Sequence, residues 1–114
     1  MGAIKVKEIN LEYGNPTVDQ ALVRMVNQLS TAKGAGYRGV ILIHGYGSSG
    51  TGGAIKIAVS KKLAEPMMQG MIRDFIPGEK WSDQKKIFLN QCPQLREYED
   101  RIHGNPGITV VLFK

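Results

Sequence analysis

The residues best suited to chemistry stand together between Val40 and Lys56, in the stretch VILIHGYGSSGTGGAIK. Four apolar residues lead to His44. Nine residues follow, Gly45 to Gly53, five of them glycine, before Ala54 and Ile55 open a segment with helical spacing. This order predicts a buried strand, a glycine loop and a helix N-terminus. The first N–H groups of a helix lack intrahelical partners and lie at the positive end of its dipole, so such a junction suits an anion. Glycines let a bulky anion approach the backbone. A plain linker is the simpler reading, but a strand-to-helix connection usually needs only about 2 to 6 residues.

Each side chain near the loop has an ordinary and a functional reading. Ser48, Ser49 and Thr51 can donate hydroxyls to a phosphate or simply form turns. Tyr46 can stack on a base or ribose, or be an exposed loop tip. Lys56, one helical turn on, would add a point charge to an anion held by Gly45, Gly47, Gly50, Gly52 and Gly53. Arg24, Lys33 and Arg38 would enlarge the basic surface. His44 can bond a neighbouring carbonyl as a core residue, or serve in acid–base transfer.

Three familiar phosphate or nucleophile motifs fail against these residues. Gly45-x-Gly47-x-x-Gly50 fits the dinucleotide fingerprint, but lies in the second strand–helix unit of a chain too short for a two-half crevice. Thr51 stands where a P-loop needs its lysine. A hydrolase-type His-Gly loop needs a G-x-S-x-G elbow, which is absent. His44 and His103 are the two histidines, neither at ligand spacing from a cysteine or another histidine, so no metal site is expected.

The 114 residues carry 15 Lys and Arg against 10 Asp and Glu, a net charge of +5 that favours polyanionic partners. One domain is expected over residues 1–114. Cys92, the sole cysteine, reads as a buried structural thiol and suits a reducing cytoplasm. No apolar run approaches the roughly 18 residues of a membrane span, and the N-terminus does not resemble a signal peptide, so a cytoplasmic protein without membrane contact is expected.

The elements that must position the loop follow from periodicity. Ala3 to Leu11 alternates and predicts a strand, with a bulge or slip near Lys7 to Ile9. Thr17 and Gln20 have capping-box spacing, and Val18, Ala21, Leu22, Met25, Val26 and Leu29 form one stripe of a helix ending near Lys33-Gly34. Gly39 to Ile43 is uniformly apolar, hence central and parallel to the first strand. A second helix runs from about Gly53 to Ala64, burying Ala54, Ile55, Ala58, Val59 and Leu63, and Pro66 ends it. Met71 to Ile76 predicts a third strand. Ser82 is the expected cap of a third helix, Asp83 to Cys92, with Ile87 and Phe88 inward. Pro93 to Asn105 lacks a period and reads as a surface excursion, before a last strand at Gly107 to Phe113.

TVDQAL from Thr17, the Val40–Lys56 loop and GITVVLF from Gly107 together resemble the Smr (small MutS-related) domain family. Its members typically carry an L-D-x-H segment, a TVxEAL-like helix start, an IHGxG-TG loop and a closing G-x-T-x-V strand. The resemblance implies an α/β fold of the α+β two-layer type: βαβαββ, two main helices on a four-stranded mixed sheet, like the C-terminal domain of bacterial translation initiation factor three. Residues 77–106 would be an insertion. It also implies binding of DNA or RNA, with endonuclease activity in some members. His44, Gly45, Gly47, Thr51 and Gly52 match the loop. The L-D-x-H segment is replaced by Ile9-Asn10-Leu11-Glu12, leaving His44 and Glu12 as the candidate catalytic residues. An amide at Asn10 cannot act as base or metal ligand as a carboxylate does, so backbone binding is expected ahead of cleavage. Binding needs no cofactor, whereas nuclease activity would call for a divalent metal. The competing readings are a small phosphorylated ligand or nucleotide at the same loop, and a protein-interaction module.

Overall fold

The computed structural model describes residues 6–45 and 52–114. Its strands are β1 (Val6–Asn10), β2 (Gly39–Ile43), β3 (Ile72–Pro77) and β4 (Ile108–Phe113). Its helices are α1 (Val18–Gly34), α2 (Gly52–Leu63), α3 (Trp81–Gln91) and the single turn α4 (Glu99–Ile102). Short 3-10 turns span Pro66–Gly70, Gly78–Lys80 and Pro93–Tyr98.

Helix α1 forms for reasons local to its sequence. The Thr17 hydroxyl accepts the Gln20 N–H at 3.1 Å, and the Gln20 side chain accepts the Thr17 N–H at 2.9 Å, closing the capping box. Ala21, Met25, Leu29 and Ala32 are buried along one face, with Val18, Leu22 and Val26 at its margin. Lys33 lies in the last turn, and Gly36, at φ +93°, turns the chain towards β2.

The sheet order is β1-β2-β4-β3. Strand β2 is parallel to β1 and antiparallel to β4, and β3 is antiparallel to β4. The interior position of β2 and its parallel partner are as its apolar run predicts. Val40, Leu42 and Val111 pack under α1 and α2, together with Ile55, Val59 and Leu63 of α2. The alternate residues Ile41, Val110 and Leu112 pack on the opposite face against Trp81, Phe88, Leu95 and Ile102. The expected mixed sheet with two main helices is present, and residues 78–102 add a further layer across the sheet.

That layer differs from its expected form. Leu95 and Ile102 are fully buried rather than parts of a surface excursion. Short 3-10 and one-turn segments have no sustained period, so their buried residues carry no pattern. Helix α3 starts at Trp81, two residues early, and Ser82 does not cap it; Lys80 holds the cap position without a side-chain bond. The Trp81 ring is buried edge-on to Phe88, with centroids 5.8 Å apart, and its Nε1–H donates to Glu99 at 3.0 Å. Gln84, at φ −133°, breaks the helical phase, which leaves Ile87 56% exposed while Phe88 is buried.

Smaller differences have similar causes. Ala54 faces solvent instead of the core, where Ile55 fills the space. Strand β1 pairs regularly from Val6↔Gly39 to Asn10↔Ile43, without a bulge over these residues. Its uneven alternation arises because Val6 and Ile9 enter the two different cores. The bulge lies in β3: Ile72 pairs with Phe113 and Asp74 with Leu112, so Arg73 is the extra residue.

Gly78 joins the added layer to the sheet. A Cβ there would stand 2.5 Å from the Asn105 carbonyl oxygen and 2.6 Å from that of Ile102, both backbone atoms. Gly78→Ala is therefore expected to cost about 1–3 kcal/mol of stability by overpacking, measured by chemical denaturation. Gly70→Ala, where an added methyl group meets nothing within 4 Å, is the control and should change stability by no more than about 0.5 kcal/mol.

Candidate functional site

Strands β1, β2 and β3 point the same way, so their carboxyl ends share one end of the sheet. Ligands of open α/β sheets bind in the crevice beyond such ends. Glu12 follows β1, His44 and Gly45 follow β2, Glu79 follows β3, and Asn105 to Gly107 lead into β4. Tyr46, Gly47, Ser48, Ser49, Gly50 and Thr51 lie outside the described residues. Gly52 and Gly53 open α2, whose first turn contains no acidic residue.

His44 is fully buried. Its Nδ1 lies 2.7 Å from the Gly45 carbonyl oxygen and its Nε2 lies 2.8 Å from the Thr109 hydroxyl. A carbonyl only accepts, so Nδ1 carries the proton and donates, while neutral Nε2 accepts from Thr109. Burial pushes the imidazole below its ordinary value of 6.5, against the opposing pull of the Gly45 hydrogen bond. The backbone beyond is pinned too: the His44 and Gly45 N–H groups both donate to the Gly107 carbonyl, at 2.9 and 3.1 Å. His44 thus ties the start of the glycine loop to β4, with both ring nitrogens engaged.

Gly45 adopts φ +74°, and an added Cβ would collide with the Glu12 carboxylate. The Glu12 carboxylate therefore lies against the loop's first residue, bringing this sequence-predicted candidate to the site. Asn10 spends its side chain on the turn, accepting the Glu12 N–H at 2.8 Å. Glu12 and Gly45 border a cleft of about 400 Å³ whose other walls include Asp100, Arg101, Asn105 and Gly107. Arg101 is paired with Glu8. Among the described residues, no group of three His, Cys, Asp or Glu is placed to hold a metal ion, and the two carboxylates of this cleft fall short of such a set.

Lys56 is one helical turn into α2, as its position predicts, but it forms an ion pair with Glu79. Its side chain is 24% exposed and that of Glu79 43%. The Lys56 hydrogen bond is the main reason the Glu79 carboxyl is held below its usual range. Of the outlying cations, Arg24 reaches the Tyr13 carbonyl at 2.8 Å, after β1. Lys33 and Arg38 instead stand at the far end of the sheet, bonded to the carbonyls of Lys114 and Gln91. The loop end therefore gathers Glu12, His44, Gly45 and Lys56, but not Lys33 or Arg38. Among the residues the sequence reading missed, Thr109 did leave a signal: a lone hydroxyl in a run as apolar as GITVVLF must find a partner if buried.

The buried imidazole sets a pH dependence. Between the lowered folded value of His44 and its ordinary 6.5, the unfolded chain holds more protons than the folded one. Acidification through that window therefore favours unfolding. Stability should be level above about pH 7 and decline below about pH 6.5, by at most about 1.4 kcal/mol per pH unit. His44→Gln is expected to flatten the curve between about pH 6.5 and 5, above the range where carboxylates titrate, as read by denaturant titrations at a series of pH values.

Comparison with known proteins agrees with this architecture. The crystal structure of the Smr domain of Thermus thermophilus MutS2 superposes with a TM-score of 0.58 at 23% identity, over 95% of this chain and 98% of that one. A comparison with curated proteins finds no match. The Smr domain profile matches residues 14–114, beginning just beyond Asn10 and Glu12. No helix among the described residues is long and apolar enough to cross a membrane. With nearly its whole length covered by that profile, the chain belongs to the Smr domain family.

Proposed function

We propose that this Smr domain binds the phosphate backbone of nucleic acid at the loop end of its sheet. The observation that carries the reading is the start of α2 at Gly52. It follows the glycine loop directly, beyond the carboxyl end of an interior strand, and its first turn holds no acidic residue. Unpaired N–H groups at a helix start attract phosphate oxygens. The net charge of +5 favours approach to a polyanion, and membership of the Smr family supports the same ligand class.

In this reading Gly45 to Gly53 form the backbone contact, Lys56 supplies a point charge, and Tyr46 is available to stack on a base. Glu79 neutralises Lys56 in the unliganded protein, so binding exchanges a carboxylate partner for a phosphate one. Both partners are partly exposed, which keeps that exchange inexpensive. His44 acts by holding the loop. With both nitrogens bonded and the ring buried, it would have to leave two hydrogen bonds to move a proton. Binding without strand cleavage is accordingly the expected behaviour.

Fluorescence anisotropy with labelled DNA and RNA, across about 50 to 200 mM salt, tests this. Contact with several phosphates should weaken binding steeply, with a log–log slope of about −0.9 per neutralised phosphate on duplex DNA. Lys56→Ala should weaken affinity several-fold and make the slope about one unit shallower. Gly47→Val should weaken it while leaving the slope nearly unchanged. A flat salt response, with both variants binding like the parent, would sink the proposal and favour a small phosphorylated ligand or a protein partner. Gel analysis of the same mixtures, with and without magnesium, reads cleavage separately.

A further inference from the structure

At the end of the sheet away from the loop, a cleft of about 280 Å³ is lined by Arg38, Arg73, Gln91, Leu112, Phe113 and Lys114. Three of these six are cations and none has an acidic side chain. The elements that put them there are unusual in detail. Arg38 immediately precedes β2, and its carbonyl accepts the Phe113 N–H at 3.0 Å, which fixes it beside the end of β4. Among the described residues its guanidinium donates once, to the Gln91 carbonyl at the last residue of α3, 3.2 Å away. A guanidinium has five N–H donors, and the described residues engage only one of them.

Arg73 arrives by a different route. It is the extra residue of the bulge between the Ile72↔Phe113 and Asp74↔Leu112 pairs. Bulges re-aim side chains and recur beside binding sites. Asp74, its acidic neighbour, does not line the cleft, and its Oδ1 accepts the Phe75 N–H at 2.8 Å. The ion pairs among the described residues engage Lys56, Lys62, Lys85 and Arg101, not Arg38, Arg73 or Lys114. Lys33 is not part of the lining; its ammonium donates to a main-chain oxygen of Lys114 at 3.2 Å.

Like charges gathered with no acidic side chain among them repel one another, and an oxyanion between them reduces that cost. Arginine forks match the oxygen geometry of phosphate in particular. We infer that the Arg38–Arg73–Lys114 cleft is a second phosphate-binding site, independent of the glycine loop and set at the opposite end of the sheet. The phosphoryl group can come from a polynucleotide backbone or from a free or terminal phosphate; the shared chemistry is a phosphate oxygen held between two guanidinium groups.

The test uses the full chain and inorganic phosphate, followed by NMR. Phosphate should shift the amide signals of Leu112, Phe113 and Lys114 and the guanidinium signals of Arg38 and Arg73. In an Arg38→Gln, Arg73→Gln double variant the apparent affinity read at those amides should fall at least tenfold. Thermal unfolding of the variant checks that the two substitutions leave the fold intact. A second arm titrates an oligonucleotide lacking terminal phosphates. A salt slope shallower by about two units in the double variant identifies the backbone as the source. An unchanged slope, with the phosphate shifts still lost, identifies a free or terminal phosphate. Lys56→Ala should leave the far-end shifts untouched, so failure at the loop and failure here are separable. Shifts absent from these residues, or equal in parent and double variant, overturn the inference.

Discussion

Strands β2 and β4 have no wet face. Along their paired length Val40, Leu42 and Val111 enter one core while Ile41, Val110 and Leu112 enter the other. A sheet buried on both sides must satisfy every polar group within its own ladder or at its ends. The consequences collect at the ends. His44 and Thr109, the two buried polar residues among those described, answer each other across the β2–β4 pair. The Gly107 carbonyl takes two N–H groups where the ladder stops. The glycine loop therefore departs from a fixed point, and α2 returns its apolar face to the same core through Ile55, Val59 and Leu63.

The charge of the protein is distributed in a way that its sum conceals. At the loop end, Lys56 faces Glu79 and Arg101 faces Glu8, with Glu12 and Asp100 on the walls of the adjoining cleft. At the far end, Arg38, Arg73 and Lys114 border a cleft free of acidic side chains. The excess of basic residues over acidic ones thus bears more on the far end than on the end where the helix dipole acts. The two ends would meet a polyanion by different means: backbone N–H groups at one, guanidinium forks at the other.

The features legible in the sequence are local or periodic. The α1 cap and stripe depend on residues three or four apart, and an unbroken apolar run at 39–43 marks β2 as interior. The motif residues of the loop and closing strand are enough to suggest the family. The features that escape such a reading depend on contacts distant in sequence. His44 meets Thr109 across 65 positions, and Lys56 meets Glu79 across 23. Trp81 and Glu99 hold a layer whose turns are too short to repeat. Ile87 points outward, against its expected place, because one residue, Gln84, leaves the helical region and rotates the rest of α3.

The irregularity in β3 has a consequence for how the molecule behaves among its copies. As a border strand it offers unsatisfied backbone groups, the usual template for sheet-to-sheet growth between molecules. An extra residue after Ile72 spoils the repeat that a docking chain would need, and Pro77 withholds a donor at the other end. This border of the sheet is thereby made a poor match for itself.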